Sequence, residues 1–522
     1  MAVHTDETGS TRKWWTLGAV CTGVFMLLLD ITIVNVALPD IRQQFDATLS
    51  DLQWVIDAYA LTLAALLLTA GTVADRVGRR AVFATGLVIF ILSSLWCGFA
   101  GDILMLSLAR ALQGVGGAIM FATSLALLAQ AFAPRERGIA FGVFGAITGV
   151  SVAVGPVLGG ALTSGLSWRW IFFVNLPIGV IALAATLLRV DESRDPQQHR
   201  IDWAGCVTFS AALACLVFGL IRSHDDGWSS ATVIGSLVAA AVLLIAFLVV
   251  ENVSPAPMFD LSLLRVPTFD GGLVAAWGIS ASIFSMLTFL VIYLQGIMGY
   301  SALEVGVRFL PFTLAIFVTA GIAGRLSDRV PVRWLIGPGF VLVAAGLFLM
   351  RGSDPAGTWT HFLPGFLVAG IGTGLINVPL ASTAVGVVEP RRAGMASGIN
   401  STLRQVGIAT GVAALGSILA SRVQDNVIDA LASGPLAGQA ERFAAAVSSG
   451  QTAGALQQLP PQSRGVAAGA AAHGFASALD SILLLASGTA LVVAVASFAL
   501  IRSRDFVEEV EEEPEVSHYQ TS

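Results

Sequence analysis

Apolar residues along the chain form long runs separated by short polar segments, and each run is long enough to cross a lipid bilayer. A spanning helix needs about 20 mainly apolar residues, and fourteen runs of roughly this length occur. They lie near 15–38, 52–74, 82–100, 103–126, 138–163, 170–188, 203–221, 228–250, 271–294, 303–323, 334–350, 362–388, 393–420 and 481–501. This pattern predicts an all-α polytopic membrane protein with 14 transmembrane helices.

The composition supports this class and excludes others. The 522 residues are 55% apolar and only 12% charged, whereas soluble proteins carry about 25% charged residues. The net charge of −6 comes largely from the acidic tail and therefore does not indicate nucleic acid binding. The four cysteines lie inside apolar runs, and the sequence contains no motif of a hydrolase or a metal site. We expect no enzymatic activity, no metal and no cofactor.

Lysine and arginine are distributed unevenly between alternate loops. With a cytoplasmic N-terminus, the inner segments hold 18 of the 28 basic residues, the outer segments hold seven, and three lie within spans. Cytoplasmic loops of membrane proteins are enriched in these residues. Both termini, 1–14 and the acidic tail 502–522, are therefore predicted to be cytoplasmic.

Residues 421–480 lie between the last two apolar runs. They are rich in Ala, Gly and Gln and contain Pro460-Pro461. The segment is too weakly hydrophobic to span a membrane. We predict an extracytoplasmic loop here, with room for one interfacial helix.

One short motif occurs twice. The segment 71–80 reads GTVADRVGRR and the segment 324–333 reads GRLSDRVPVR, so Gly, Asp, Arg, Val and the final Arg coincide at an offset of 253 residues. Each copy follows a predicted span, and the copies are eight spans apart. Two parallel six-helix repeats explain this spacing. They are the bundles 15–188 and 271–501, and the region 189–270 holds a two-helix insert with cytoplasmic linkers.

Five segments carry motifs in a characteristic order. They are LDITIVNVALP at 29–39, GTVADRVGRR at 71–80, RALQGVGG at 110–117, GPVLGG at 155–160 and WRWIFFVNLP at 168–177. Together they resemble the motifs of the major facilitator superfamily, and in particular its fourteen-span drug:proton antiporters of the EmrB/QacA type. The resemblance covers essentially the whole chain.

The resemblance implies a major facilitator fold, 6 + 2 + 6 helices, and a function. A monomer in the cell membrane would export amphipathic, often cationic drugs by alternating access, driven by the proton gradient alone. One alternative keeps the fold but exports an endogenous antibiotic, siderophore or lipid. Another is a membrane sensor or scaffold that transports nothing.

Charged residues within predicted spans are few, and each costs a few kcal/mol to insert. They are Asp30, Asp57, Arg110, Glu304, Arg308 and Arg404. At about 1.5 Å per residue, the first three lie at similar depth in the outer half of the first bundle. Two carboxylates near one guanidinium could exchange a proton, because the arginine favours the ionised acid and burial favours the neutral acid.

The family motif places its proton-binding carboxylate at Asp30, so the resemblance implies that Asp30 couples transport to protons together with Arg110. A static ion pair is the alternative. Asp57 is either a counter-charge for a cationic substrate or a solvated carboxylate near the interface.

Further residues are candidates for substrate contact. They are Phe25, Tyr59, Phe284, Tyr293 and Arg404. Packing in the core is the ordinary role of each of these aromatic side chains and is the alternative for all of them. Arg404 could equally be a structural or gating cation. Glu304 and Arg308 are spaced i, i+4, which predicts an ion pair at a helix end.

The loop at 71–80 has a mechanical interpretation. Gly71 permits close approach, and Asp75 can face the N-terminus of the thirteenth helix near 393–398, where the helix dipole is positive. The gating candidates in this loop are Gly71, Asp75, Arg76, Gly78 and Arg80. The alternative is that its arginines only fix the topology.

Helix 5 carries a second set of gating candidates. Gly155 and Pro156 are expected to kink the helix, and Gly159 and Gly160 are expected to pack against the other half of the protein. General packing of membrane helices would also explain the glycines.

Overall fold

The computed structural model describes residues 6–47, 49–193, 202–255, 257, 259–327, 329–388, 393–432, 434, 436–448 and 452–506, and all regular structure within them is helical. The helices before and within the insert are α1 Asp6–Phe45, α2 Leu49–Val77, α3 Arg79–Gly98, α4 Ile103–Ala131, α5 Pro134–Gly165, α6 Trp170–Phe173, α7 Asn175–Arg189, α8 Trp203–Asp226 and α9 Ala231–Val253. The later helices are α10 Pro267–Ile279, α11 Ser285–Gly296, α12 Ala302–Ser327, α13 Arg333–Leu349, α14 Leu363–Gly386, α15 Ala393–Leu431, α16 Ala440–Ser448, α17 Thr452–Gln458 and α18 Pro461–Leu500.

Twelve stretches of the described helices are long and apolar enough to cross a membrane, and the chain is a multi-pass membrane protein. Helices also occupy the other two predicted positions. These are α5, of 32 residues, and α13, of 17 residues. The apolar stretches described there, Ile139–Thr148 and Arg333–Leu349, are shorter than the twelve.

The helices form two packed halves. In the first half, α4 packs on α2 and α3, and α1 packs on α5 and α7; in the second half, α13 packs on α14 and α18, and α15 packs on α10 and α18. Glycines allow the closest approaches, since a Cβ on Gly116 of α4 would lie 2.8 Å from the backbone nitrogen of Phe90 on α3. Small residues bring membrane helices together in this way.

The two halves meet through α5 against α12 and α2 against α15. Some of these contacts lie at the end of the molecule where residues 71–80 are found. We call this end the loop end. There, a Cβ on Gly398 of α15 would lie 3.1 Å from the carbonyl oxygen of Leu67 on α2. A Cβ on Gly142 of α5 would lie 3.3 Å from the carbonyl oxygen of Ala320 on α12. The halves are therefore in close contact at the loop end.

The two helices of the insert form a hairpin on the side of the bundle. Helices α8 and α9 pack on each other, and α8 also contacts α2 and α15. The side chain of Ser230 caps α9 by accepting a hydrogen bond from the amide of Val233 at 3.2 Å. Most of the apolar surface of α9 is uncovered, as expected for a helix that faces lipid.

The prediction of a loop at 421–480 was wrong, because most of the described residues there are helical. Helix α15 continues to Leu431, α16 and α17 follow, and α18 already begins at Pro461. The two long extensions pack together, and the Asn426 side chain donates a hydrogen bond to the carbonyl of Gly474 at 3.1 Å. Alanine is the strongest helix former, so this segment forms helices although its hydropathy is low.

Candidate functional site

The carboxylate of Asp30 lies at the centre of a buried polar network in the first half. It is fully buried and forms an ion pair with Arg110 of α4. Its Oδ1 atom accepts hydrogen bonds from Gln113 Nε2 and from Asn175 Nδ2, both at 2.9 Å. Gln113 also donates to Ser94 Oγ at 2.8 Å. Three helices, α1, α4 and α7, therefore meet at one carboxylate, and Ser94 of α3 joins the network through Gln113.

The guanidinium of Arg110 is held from several directions. Its Nη1 atom also donates to Gln113 Oε1 at 2.6 Å, and its Nε atom donates to the backbone carbonyl of Val55 on α2 at 3.1 Å. The ring of Tyr59, one turn further along α2, lies with its centroid 4.2 Å from the Cζ atom of Arg110. A cation over an aromatic face is stabilised by about 0.5–2 kcal/mol.

Sequence reasoning selected Asp30 and Arg110 but missed their neutral partners. Gln113, Asn175 and Ser94 are each fully buried. The first two belong to the motifs at 110–117 and 168–177, so the signal was present in the sequence. Amides do not stand out by charge in an apolar helix, whereas a carboxylate does.

Asp57 lies on α2 two residues before Tyr59 and is half-buried. Its role as a counter-charge for substrate stays a prediction.

At the loop end, Asp75 contacts the second half of the protein. Its Oδ2 atom accepts a hydrogen bond from the backbone nitrogen of Met395, in the first turn of α15, at 2.8 Å. Its Oδ1 atom pairs with Arg79, which also donates to Gln130 at 2.8 Å. Asp75 and Arg79 are both buried. A carboxylate at a helix N-terminus is stabilised by the helix dipole, so this contact favours closure of the loop end.

The prediction of a loop at 71–80 was wrong, because α2 runs to Val77 and α3 begins at Arg79, and this junction is tied to the segment that follows α7. Gly78 has φ of +129°, a conformation that L side chains rarely adopt, and a Cβ there would lie 2.8 Å from the Glu192 carboxylate. Glu192 accepts hydrogen bonds from the backbone nitrogens of Arg80 and Ala81 at 3.0 and 3.1 Å. Gly71 is buried within α2, and Arg76 is half-buried. Because Gly78 has no side chain, the Glu192 carboxylate can approach and cap the N-terminus of α3.

The prediction for the glycines of α5 was partly wrong. Gly155 and Gly159 pack on α1 of the same half, since a Cβ would lie 1.8 Å from Thr32 Oγ1 at Gly155 and 2.9 Å from Ile33 Cγ1 at Gly159. A Cβ on Gly160 would meet no described atom within 4 Å. The glycines of α5 that approach the second half of the protein are Gly142 and Gly145, near the other end of the helix. The helix continues through Pro156.

A cavity lies between the two halves and is lined by α4, α5, α14 and α15. It is partly open, and about 440 Å³ of space, part of it open to solvent, lies between its walls. Phe121 and Phe144 form part of its wall, and Asn377, Asn400 and Arg404 supply polar groups. The Nη2 atom of Arg404 donates a hydrogen bond to Asn377 Oδ1 at 2.5 Å.

Of the residues proposed for substrate contact, Arg404 lines this cavity. Tyr59 packs on Arg110 instead. Tyr293 is fully buried in the core of the second half between Phe362 and Phe475, with ring centroids 5.9 and 6.1 Å away. Phe25 is half-buried on α1 and is not among the described residues that line the cavity.

Phe284 and the Glu304–Arg308 pair have the structural roles expected of them. Phe284 packs against the core of the second half. Arg308 and Glu304 form an i, i+4 ion pair of 3.6 Å near the start of α12, and Arg308 also covers the ring of Tyr300 at 3.6 Å. Both therefore stabilise local structure.

The structure contains two halves of apolar helices, a charge network inside one half and a polar cavity between the halves. These features define a helical multi-pass membrane protein with features of a transporter. A family model described as Major Facilitator Superfamily matches residues 20–412. The chain belongs to this superfamily.

Several relatives are similar over most of their length. Multidrug resistance protein Stp of Mycobacterium tuberculosis is 37% identical over 78% of this chain and 76% of the relative. The tetracenomycin C resistance and export protein of Streptomyces glaucescens is 33% identical over 94% of this chain and 92% of the relative. The puromycin resistance protein pur8 of Streptomyces alboniger is 37% identical over 78% of this chain and 82% of the relative.

Solved structures agree on the fold. The human organic anion transporter MFSD10 matches with a TM-score of 0.62 at 14% identity, over 93% of this chain and 99% of that structure. A bacterial homologue of the human lysosomal transporter Spinster, in an inward-facing and occupied conformation, matches with a TM-score of 0.57 at 17% identity. The match covers 95% of this chain and 98% of that structure. At such low identity the likeness concerns the fold alone.

Proposed function

We propose that this protein exports small amphipathic molecules, drugs and antibiotics among them, in exchange for protons. The observation that carries the proposal is the buried Asp30 carboxylate, which holds three helices of the first half through Arg110, Gln113 and Asn175. The relatives named for multidrug resistance and antibiotic export support the class of cargo.

Protonation of Asp30 is the proposed coupling step. Ionised Asp30 accepts charge-assisted hydrogen bonds, each worth about 1.5–3 kcal/mol. A proton on the carboxylate removes its charge and weakens the hold on α4 and α7 together. Arg110 then keeps its hydrogen bond to Gln113 on its own helix and otherwise depends on the carbonyl of Val55 and the ring of Tyr59, both on α2.

The proton gradient supplies the energy. Moving one charge through 100 mV yields about 2.3 kcal/mol, and each unit of pH difference adds about 1.4 kcal/mol. Both amounts are comparable with one or two of the hydrogen bonds around Asp30. The gradient is therefore sufficient to switch this network.

The proposed architecture has 14 crossings and two cytoplasmic termini, as in antiporters of the EmrB/QacA type. At about 1.5 Å per residue, the 17 residues of α13 extend roughly 26 Å, close to the thickness of a bilayer core. Helix α5 has 32 residues and packs between α1 and α12. With this topology the loop end faces the cytoplasm, so close contact there corresponds to an outward-open state.

The test is transport by purified protein in proteoliposomes. We expect an imposed pH gradient, with no nucleotide present, to drive accumulation of an amphipathic drug or dye, and a cationic and a carboxylate-bearing compound are assayed in parallel. Asp30→Asn should abolish accumulation. The control Asp226→Asn, which removes an acid paired with Arg222 at the end of α8, should leave it intact. Equal accumulation with and without the gradient would contradict proton coupling.

A dedicated exporter of one antibiotic is the second candidate, favoured by the relative named for tetracenomycin C resistance and export. The same vesicles separate the two candidates. A broad exporter transports chemically unrelated compounds with similar KM, whereas a dedicated exporter transports one scaffold and excludes the rest.

A further inference from the structure

Among the residues that the structure describes, Arg404 at mid-depth in the molecule has no acidic partner. It lies eleven residues after the start of α15, which is roughly 16 Å along the helix axis and about half the thickness of a bilayer core. Its one polar contact among the described residues is the hydrogen bond to the neutral amide of Asn377. A guanidinium carries five N–H donors, so most of its capacity is unused.

The helices around the cavity carry few acids that could neutralise Arg404. The sequences of α4 and α14 contain no Asp or Glu. On α5 the acid is Glu136, which already pairs with Lys13 at 2.7 Å. The first acid on α15 is Asp425, which lies 21 residues and roughly 30 Å beyond Arg404.

Two buried acids of the first half are engaged elsewhere. Asp30 pairs with Arg110 and Asp75 pairs with Arg79. Within the described lining, the cavity therefore has one net positive charge, surrounded by phenyl rings, amides and the hydroxyl of Ser401. A charge inside a membrane protein that lacks an internal partner commonly marks a substrate pathway.

We infer that Arg404 binds a carboxylate of the exported molecule, and that the cargo consists of amphipathic organic acids and zwitterions rather than simple cations. Arginine is suited to this task, because its planar fork binds a carboxylate through two parallel hydrogen bonds. Phe121 and Phe144 would contact the apolar part of the same molecule. The inference rests on the proposed export function and names its substrate class.

Asn377 sets the selectivity in this arrangement. Its neutral amide orients the guanidinium without neutralising it. An aspartate at this position would pair with Arg404 internally and compete with the carboxylate of the cargo. Asn377→Asp changes only a few atoms, so it tests charge with little change of shape.

The experiment uses two xanthene dyes that differ at one group, a free benzoate in the first and its ethyl ester in the second. Fluorescence anisotropy measures the binding of each dye to the purified full-length protein. We expect wild type to bind the benzoate at least ten times more tightly than the ester. Arg404→Gln should reduce this ratio to about one, chiefly by weakening benzoate binding.

Two further variants and a control accompany this measurement. Arg404→Lys should keep part of the preference, since it retains the charge and loses the planar fork. Asn377→Asp should bring the ratio to one or below, and it decides the question if Arg404→Gln does not fold. The control Arg222→Gln, in the ion pair at the end of α8, should leave the ratio unchanged.

Equal binding of both dyes by wild type would overturn the inference, as would an equal loss of both in Arg404→Gln, which would mark Arg404 as a structural cation. Binding needs no proton gradient, so this result is independent of transport. Preferential binding without gradient-driven transport would contradict only the proposed function. Gradient-driven transport without a preference for the benzoate would contradict only the present inference.

Discussion

Tyr59 illustrates how single residues support the charge network. Its ring covers Arg110, while its hydroxyl is buried and has no hydrogen-bond partner among the described residues. Arg110 in turn contacts Asp30 and Gln113 on one side and the carbonyl of Val55 on the other. The contributions of the Tyr59 ring and of its hydroxyl to the charge network can therefore be tested separately.

We predict that Tyr59→Phe keeps proton-driven transport at the wild-type rate, because the ring remains and only an unsatisfied hydroxyl is lost. Tyr59→Ala should reduce transport at least ten-fold, since it removes the cation–π contact, worth about 0.5–2 kcal/mol, and leaves a cavity beside Arg110. Initial rates in proteoliposomes measure both. If Tyr59→Phe were as defective as Tyr59→Ala, the hydroxyl would have a role that this account omits.

The sequence reveals some of these residues and conceals others. A carboxylate or guanidinium in an apolar run is costly and therefore conspicuous, which is why Asp30 and Arg110 could be selected in advance. Gln113 and Asn175 carry no charge, and their importance depends on the side chain that they meet in three dimensions. The cavity position of Arg404 likewise became visible only when α14 and α15 were placed together.

At the scale of helices, the contact between α1 and α5 holds the segment that carries Asp30. Gly155 of α5 faces Thr32 of α1, two residues beyond Asp30 on the chain, and Gly159 faces Ile33. A side chain at Gly155 must displace α1 or distort α5. Asp30 and its partners on α4 and α7 would then move apart.

We predict that Gly155→Ala destabilises the protein by about 1–3 kcal/mol, the usual cost of inserting a methyl group into a packed core, and lowers transport. Gly160→Ala is the matched control on the same helix, because a Cβ there meets no described atom within 4 Å. Thermal unfolding in detergent measures the difference. Thr32→Ala should partly rescue Gly155→Ala, and the absence of rescue would contradict the assigned contact.

Asp75 joins α2 to α15 at the loop end. We predict that Asp75→Asn opens this end by weakening the charge-assisted hydrogen bond to Met395. A loss of about 1–2 kcal/mol changes the ratio of closed to open molecules by roughly 5- to 30-fold. Labelling of single cysteines placed on α2 and α15 at the loop end should speed up accordingly.

Glu192→Gln is the control for this experiment. Glu192 caps α3 within the first half, so its loss should loosen the loop without changing contact between the halves. Equal labelling of Asp75→Asn and wild type would show that the 71–80 loop determines topology alone.

The fourteen helix positions could be predicted because hydropathy measures the very property that a bilayer selects. The helices at 421–480 could not, because hydropathy does not report the helix propensity of a weakly hydrophobic segment. There, alanine propensity and the packing of α15 on α18 determine the structure. Buried residues such as Val427 and Ala471 belong to the same core as the second half.

At the scale of the whole molecule, α2 and α15 connect the charge network around Asp30 to the cavity. Helix α2 contacts Arg110 through Val55 and Tyr59 and contacts α15 through Asp75, 20 residues further along, or roughly 30 Å. Helix α15 then carries Arg404 into the cavity. A change at Asp30 can therefore reach the cargo site through two rigid elements.

The proposed topology is testable with cysteines at exposed positions. We predict that Leu166→Cys after α5 and Ala356→Cys after α13 react with an impermeant maleimide from outside the cell. Val77→Cys at the loop end should react only from the cytoplasm. If Leu166→Cys were labelled only from inside, α5 would not cross the membrane and the count of 14 would be wrong.

The central claim is that Asp30 couples cargo to protons, and the most direct test compares two transport modes in Asp30→Asn. Counterflow exchanges labelled for unlabelled cargo and needs alternating access but no proton gradient. The account predicts that Asp30→Asn retains counterflow and loses accumulation driven by a pH gradient. Gradient-driven accumulation at the wild-type rate in Asp30→Asn would contradict it.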